Sequence, residues 1–581
     1  MRCIAICTLV LVASEMVGLG IGRAATHDEP RHRRPAALAL SPDEDYLYVA
    51  NERAGSISVL DTNSGSVLRE VQLGGKLVAL THVSRDRFLA ADEAGHRVLD
   101  LRMDGTTVEV RRELKVSPYP VRIVVAPGGG AAFVTSLWSR RVSRVDLEGE
   151  NCAVTGTVDL AFAPREQLLV PGAERLVVAD SHGGNLAVID LVSLEVLGYT
   201  SFPAHNIRGL GVSPDGKMML IAHQMLNELA HTVRNDVHWG LLMTNDLRWL
   251  PVDAVLSRQQ NLYKGAHMHP LGEAGSATGD PAGLAIHPDG RVIVTLGGVG
   301  EIAIGNEEDF SLRRYKVGRR PTAVVIARTA NKAFVANTFD DSISLVTLDA
   351  EVEVQTKPLG PKAELSEVDY GEMFFYDARL SHDRWMSCHS CHTDGHTNGL
   401  LNDNFSDRSF GAPKRVLSLL GKNGTEPLAW NASAASFEEQ VHKSLKMTMQ
   451  SDDEPRERLV ARLAAYVRTL ESPPSLDQLR GVQDPEAIGR GQEVFGQRKC
   501  TNCHQAPHYT SPKTYNVGLQ DEQGNNRFNP PALRGLSQRG PYFHDNRAKS
   551  LEEVFVKYQH RLREPLTDQE LQDLLAFLRS L

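Results

Sequence analysis

Leu38 to Gly65 read LALSPDEDYLYVANERAGSISVLDTNSG: an apolar run, a Ser-Pro-Asp turn, a second run ending in small residues, and a third run closed by Asp61. Apolar and polar residues alternate along the runs, the period of half-buried strands, and turn-forming residues separate them. The pattern returns in Val121 to Gly149, VRIVVAPGGGAAFVTSLWSRRVSRVDLEG, and again from Leu210, Leu284 and Val324, with weaker copies near Leu80 and Leu168. The equivalent positions Leu38, Leu80, Ile123, Leu168, Leu210, Leu284 and Val324 are spaced 42, 43, 45, 42, 74 and 40 residues apart. A unit of about 42 residues is the size of one four-stranded propeller blade. Residues 33–358 are therefore expected to form an all-β, seven-bladed propeller.

Tyr48-Val49-Ala50-Asn51 and Phe334-Val335-Ala336-Asn337 carry a resemblance to the YVTN family of propeller repeats. It implies architecture and says little of function. The Asp, Asn and Gly residues of the repeats read as turn chemistry. The long fifth interval holds about 32 extra residues within an insertion at about 224–278, with His231, His238, His267 and His269. It reads as a docking loop with surface histidines; the alternative is that His267-Met268-His269 offers a ligand to a metal or a haem edge.

The C-terminal third carries a second signal. Cys388-His389-Ser390-Cys391-His392 and Cys500-Thr501-Asn502-Cys503-His504 are both C-x-x-C-H units, the pattern for covalent attachment of c-type haem. The cysteines anchor the porphyrin as thioethers, and His392 and His504 stand ready as proximal iron ligands. Zinc or short disulfides are the alternative. Neither needs a histidine directly after both pairs.

After Pro358 the period becomes helical. Phe437 to Met449 and Arg456 to Leu470 are expected as amphipathic helices, Glu486 to Phe495 leads into the second haem motif, and Thr567 to Leu578 closes the chain. Pro473-Pro474 marks a boundary between two small, mainly α domains, 359–474 and 475–581.

Three stretches make residues 366–581 resemble the bacterial di-haem cytochrome c peroxidase family and its methylamine-utilisation (MauG-like) branch: Gly371 to Ser381, GEMFFYDARLS; Gly489 to Phe495, GRGQEVF; and Pro541 to Asp545, PYFHD, followed by Leu551-Glu-Glu-Val554. The resemblance implies two cytochrome c-like domains, a peroxidatic haem on His392 and an electron-feeding haem on His504. It further implies Tyr558 as the far-side ligand of the second haem, where the peroxidases have Met, with His560 or no ligand as the alternative. Trp430 matches the tryptophan lying between the haems.

The distal pocket departs from the family's pattern. The family's Gln maps to Gln440, but its acid–base Glu maps to Gln450, which cannot carry a proton as a carboxylate can. Glu439 or His442 would have to substitute. Met447 or Met449 would otherwise ligate the iron and close the site. His396 is the nearest candidate for a removable sixth ligand. The family's calcium site maps to Gly411, Asn529 and Pro531, with Gly in place of Asn.

Residues 1–25 read as a secretory signal, with Arg2 before the apolar Ile4 to Val12, a run too short for a comfortable membrane span. Export to the periplasm or beyond agrees with c-type haem. Cys3 and Cys7 leave with the signal and four cysteines hold haem, so Cys152 stands alone as a buried filler or a reactive thiol. The net charge of −9 argues against nucleic acid as a partner. Three functions follow as expectations. The first is a di-haem oxidoreductase meeting hydrogen peroxide or a related oxidant, with a small redox protein as electron partner and the propeller as docking platform. The second is an electron-transfer protein without peroxidase activity. The third is a propeller scaffold with accessory haems.

Overall fold

The structure is a computed structural model that describes residues 24–25, 30–149, 152–258, 261–307, 312–329, 331–405 and 408–581. The expected signal segment up to Arg23 lies outside them.

Seven antiparallel four-stranded sheets follow one another along the chain, the first extended at its outer edge by Ala24–Ala25. Their innermost strands are Pro35–Leu40, Leu77–Ser84, Pro120–Val125, Pro164–Leu169, His205–Val212, Pro281–Ile286 and Pro321–Ala327, and each contains one of the seven equivalent positions read from the repeat. Each innermost strand pairs on one side only, so a proline at its start leaves no ladder bond unmade. Arg34, Tyr119, Asp280 and Arg320, directly before four of these prolines, adopt φ between +51° and +64°. All four line the central cavity of the ring.

The repeat residues do what turn chemistry requires. The Asn51 amide donates to Ser56 and Ser58 at 3.0 and 2.9 Å, and Asn337 donates to Ser342 and Ser344 at 3.1 and 2.9 Å. The same bond thus closes the same turn in blades one and seven. Those two blades meet through Leu47, Val49 and Leu60 against Ala327, Phe334 and Ile343. Backbone N–H groups of Arg33 and Arg34 donate to Asp341 across the joint at 3.1 and 2.7 Å. The ring is therefore closed by packing and capping, not by a shared blade.

The fifth blade corrects the expectation of one long docking loop. Met243–Pro251 and His267–Pro270, inside the span read as insertion, are its third and fourth strands. The extra residues form two excursions: 227–242, with the short helix α1 (Arg234–His238), and 252–266, with α2 (Val252–Leu256). His267 and His269 sit on the outer strand, where both rings meet Trp249, and neither lines a haem-motif cavity. His231 and His238 ride on the first excursion and do reach the C-terminal region.

That region is mainly helical: α3 (Glu367–Phe375), α4 (Cys388–Cys391), α5 (Phe437–Lys443), α6 (Glu457–Arg468), α7 (Leu476–Arg480), α8 (Pro485–Gln497), α9 (Leu551–Val556) and α10 (Asp568–Ser580). One device occurs twice. Gly371 on α3 lies against the Arg462 carbonyl of α6, and Gly491 on α8 lies against the Asp573 carbonyl of α10. A Cβ at either would fall within 2.0 Å of that oxygen. Four residues on, Phe375 and Phe495 meet Tyr466 and Phe577 with their rings steeply inclined, both at 5.3 Å. Glycine permits the close crossing and the aromatic pair fills it. Both glycines belong to the stretches that carried the family resemblance.

Candidate functional site

The two C-x-x-C-H units line separate cavities, which rules out a single four-cysteine zinc site built from both pairs. Burial pushes the Cys388 and Cys391 thiols up to about 12, so the first site disfavours thiolate and suits neutral thioether sulfur. His392 is half-buried with its Nδ1 out of reach of solvent, and loss of water pulls it down to about 4, keeping the ring neutral as an iron ligand must be. In the second cavity the His504 Nδ1–H donates to the Tyr509 carbonyl at 3.0 Å, which sets the ring's tautomer and leaves Nε2 as the ligating atom.

The cavities share a wall. Arg415, Lys422, Trp430 and Asn529 line both. Trp430 is held by its Nε1–H, which donates to the Arg415 carbonyl at 2.9 Å. Arg415 and Lys422 on this wall, and Arg539 beside them in the second cavity, are all buried. No carboxylate among the described residues pairs with any of the three; Arg539 donates to the carbonyls of Ala532 and Leu420. Desolvation pulls Arg415 and Arg539 down to about 10 and Lys422 well below the usual lysine range. Buried cations without anionic partners are costly. A porphyrin brings two carboxylates on one edge, so the residues present fit the group. Sequence reasoning missed these three residues, because burial, not residue type, is their signal.

Around the first cavity, α5 ends in a wide turn with π-type bonds, Ser444–Thr448. Gln440, Ser444, Thr448 and Met449 line the cavity there. The Gln440 amide donates to Ser444 at 3.2 Å, and its Oε1 is buried without a hydrogen-bond partner among the described residues. Gln450 points elsewhere. At φ +53° it donates to the carbonyls of Thr232 and Met447 at 2.6 and 2.8 Å, tying the first excursion of blade five to this domain. Glu439 accepts from the Ala435 N–H and pairs with Lys443 at 2.7 Å, and His442 pairs with Glu454 at 2.9 Å. Neither lines the cavity, nor does Met447. His396 spends both nitrogens, on Ser418 at 3.0 Å and on the Gln538 carbonyl at 3.1 Å.

In the second cavity the Tyr558 hydroxyl donates to the Arg547 carbonyl at 2.9 Å, and Tyr558 is not a lining residue. His560 is, and burial with nearby His504 pulls it down to about 4. His544, given no role by the sequence reading, also lines this cavity and stacks on Phe528 at 4.3 Å, with both ring nitrogens buried and without a hydrogen-bond partner among the described residues. Of the calcium-site residues, Asn529 and Pro531 line the shared wall and Gly411 does not; the Asn529 amide donates to the Ser511 and Lys513 carbonyls.

The propeller holds the first attachment loop rigidly. Buried Asp280 accepts from the hydroxyls of Ser387 and Ser390 at 2.5 and 2.7 Å, and His205 Nε2–H donates to the Ser390 carbonyl at 2.9 Å. Arg165 and Arg208 each reach Asp394 at 2.7 Å. Burial opposes ionisation of Asp394, but the two guanidinium groups outweigh it and hold the carboxyl well below the usual range. The central cavity of the ring, about 770 Å³, ends on His389, Asp394 and Tyr376. Cys152 sits in blade three within 3.1 and 3.4 Å of the Arg87 and Arg112 guanidinium groups and lines neither haem-motif cavity.

Residues 366–475 match the family described as di-haem cytochrome c peroxidase, and residues 488–581 match cytochrome c. Methylamine utilization protein MauG of Methylophilus methylotrophus is 26% identical over 288 residues, covering 39% of this chain and 84% of that protein. Cytochrome c551 peroxidase of Nitrosomonas europaea is 24% identical over 298 residues, covering 41% and 88%. Among solved structures, Kuenenia stuttgartiensis hydrazine synthase aligns with a TM-score of 0.48 at 18% identity, over 58% of this chain and 100% of that one. The expected resemblance to the di-haem peroxidase family behind a seven-bladed propeller holds, and the helical region consists of cytochrome c-like domains.

Proposed function

We propose that this chain is an exported oxidoreductase with two covalent c-type haems, one on each C-x-x-C-H unit, that reacts with hydrogen peroxide or a related oxidant and exchanges electrons with a small redox protein. The observation that carries the reading is the common wall. Trp430 stands between two attachment sites, and three buried cations await the carboxylates a porphyrin supplies. Bound haem supplies one-electron chemistry and, at an open axial position, reaction with a small oxidant.

The chain's own residues divide the two sites by role. Cys388, Cys391 and His392 hold the first group, and Gln440 presents a free carbonyl oxygen and an amide from α5 into its cavity. That amide can orient an oxidant but cannot shuttle a proton. With Gln450 turned to the propeller and Glu439 outside the cavity, proton transfer falls to water or to the oxidant itself. Cys500, Cys503 and His504 would hold the second group, and His560 would be a further iron ligand in preference to Tyr558, since His560 lines the cavity and the Tyr558 hydroxyl donates to the Arg547 carbonyl. The propeller serves as platform, clamping the first loop through Asp280, Arg165 and Arg208.

A second reading, electron transfer without oxidant chemistry, is favoured by one observation: Met449, buried, lines the first cavity and offers a thioether. Paramagnetic resonance of the ferric protein before and after peroxide separates the two. The oxidoreductase reading expects a high-spin first haem whose signal changes with peroxide, and a low-spin second haem lost in His560→Ala but kept in Tyr558→Phe. Two low-spin signals indifferent to peroxide would sink it in favour of the second reading. A low-spin signal lost only in Tyr558→Phe would remove His560 as ligand.

A further inference from the structure

Outside the haem-motif cavities, His238, His382 and Asp383 come together at the seam between the propeller and the first cytochrome c-type domain. Their nearest ligating atoms all lie within 4.8 Å of one another. His238 ends α1, on the first excursion of blade five. His382 and Asp383 come much later in the chain, just before the first attachment loop. We propose that these three side chains form a binding site for a divalent transition ion of the zinc class, bridging the two parts of the molecule.

The donor set is the first argument. Two imidazoles and one carboxylate match three-protein-ligand zinc sites, which leave a fourth position for water. Asp383 Oδ2 lies between the rings, 2.5 Å from His238 Nδ1 and 3.6 Å from His382 Nε2. Ligands around tetrahedral zinc are separated by about 3.3 Å, given zinc–ligand bonds of about 2.0 Å. The carboxylate oxygen therefore needs only a small rotation to share an ion with both nitrogens.

Orientation is the second argument. The His382 Nδ1–H donates to Asp452 at 2.9 Å, which directs Nε2 toward the cluster. This carboxylate–histidine arrangement is the one that fixes tautomer and ring angle in metal sites. Arg234 holds Asp452 in turn at 2.5 Å. The backbone is built for the position as well: Asp383 is held at φ +55° and Arg384 at +73°, an unfavourable pair in the segment that brings the Asp383 carboxylate to His238 Nδ1. Trp385 Nε1–H donates to the His238 carbonyl at 3.1 Å, and Gly240, at φ +66°, lets the excursion lie against the Trp385 ring.

Access is the third argument. The side chains of His238, Asp383 and His382 are 37%, 15% and 10% exposed, so an ion can enter from solvent and keep a water. The consequence reaches inward. The His382 N–H donates to the Met449 carbonyl at 2.9 Å, and Met449 lines the first haem-motif cavity. An ion here would clamp the excursion onto the segment that closes that cavity.

The test uses full-length haem-loaded protein stripped with a chelator and titrated with zinc chloride by calorimetry, with zinc per chain counted by elemental analysis. One zinc per chain is expected. His238→Ala and Asp383→Asn should weaken binding by about 100-fold, and Asp452→Asn by about 10-fold, the range for ligand-supporting carboxylates. Asn tolerates positive φ, so the Asp383 variant keeps its backbone; an unchanged Soret band and unchanged zinc-free melting identify folded variants. Zinc binding equal in wild type and in the His238→Ala/Asp383→Asn double variant, or no stoichiometric binding in wild type, would overturn the proposal.

Discussion

Lys422 is a buried lysine in the wall between two cavities, with no carboxylate among the described residues to meet it and with burial holding it well below the usual lysine range. Its sign in a stability experiment depends on what fills the wall. Were it left alone, Lys422→Met would stabilise, because an unpaired buried charge is a net cost. With a porphyrin carboxylate beside it, the same change breaks a charged hydrogen bond and should destabilise haem-loaded protein by about 2 kcal/mol. Loss of positive charge should also lower the haem potential. Chemical denaturation and redox titration of Lys422→Met check both directions. The contrast with Cys388 or His504 shows what is legible at this scale. Cysteine and histidine at fixed spacing announce their chemistry in one dimension. Lys422, Arg415 and Arg539 look like ordinary surface cations until contacts from distant segments bury them.

At the scale of elements, α3 joins the two halves. Ser366 caps it, Asp369 completes the capping box, and the same carboxylate pairs with Arg53 of the first blade. Burial alone would raise Asp369, but the bonds to Ser366 and the charge of Arg53 prevail and hold it at about 2, against an ordinary 3.8. A carboxyl depressed on folding stabilises the folded state above its ordinary value and loses that contribution as the pH falls through the depressed one. About 2 kcal/mol should therefore disappear between about pH 4 and pH 2, from a depression of nearly two pH units. Thermal unfolding of wild type should be steeper in pH across that window than unfolding of Asp369→Asn; parallel profiles would contradict the account. The strands and helices themselves were readable, from turn residues at a period of about 42 residues and from helical spacing beyond Pro358. The misreading was at blade five, where Met243–Pro251 and His267–Pro270 are strands taken for loop. One excursion before the first strand and another between the two diluted the period that reveals a strand.

For the whole molecule the decisive feature is a mixed core at the seam. Ala230, Val237, Leu242 and Met243 from blade five pack with Phe375, Trp385, Met386, Phe437 and Met449 in one buried cluster. The cytochrome c-type region is thus only partly covered by its own helices. Residues 363–581 produced alone should expose this face, bind hydrophobic dye and self-associate, as exposed apolar patches do. Size-exclusion chromatography and dye fluorescence test it, and a monodisperse fragment with full haem content would show that the propeller is dispensable for folding.

Repetition every 42 residues or so and two C-x-x-C-H units were enough to establish seven blades and two attachment motifs, because both depend on spacing along a chain. Local geometry also sufficed for the turn residues Asn51 and Asn337, whose partners lie five and seven residues on, whereas Gly371 and Gly491 meet carbonyls of helices far along the chain. Which polar groups face a cavity, which face the propeller, and which meet across the seam was decided only by the packing of distant segments. Gln450 turned outward, His560 turned inward, and His238 beside Asp383 are all outcomes of that packing. Burial and direction are properties of the folded surface, and they govern what a side chain's chemistry can be used for.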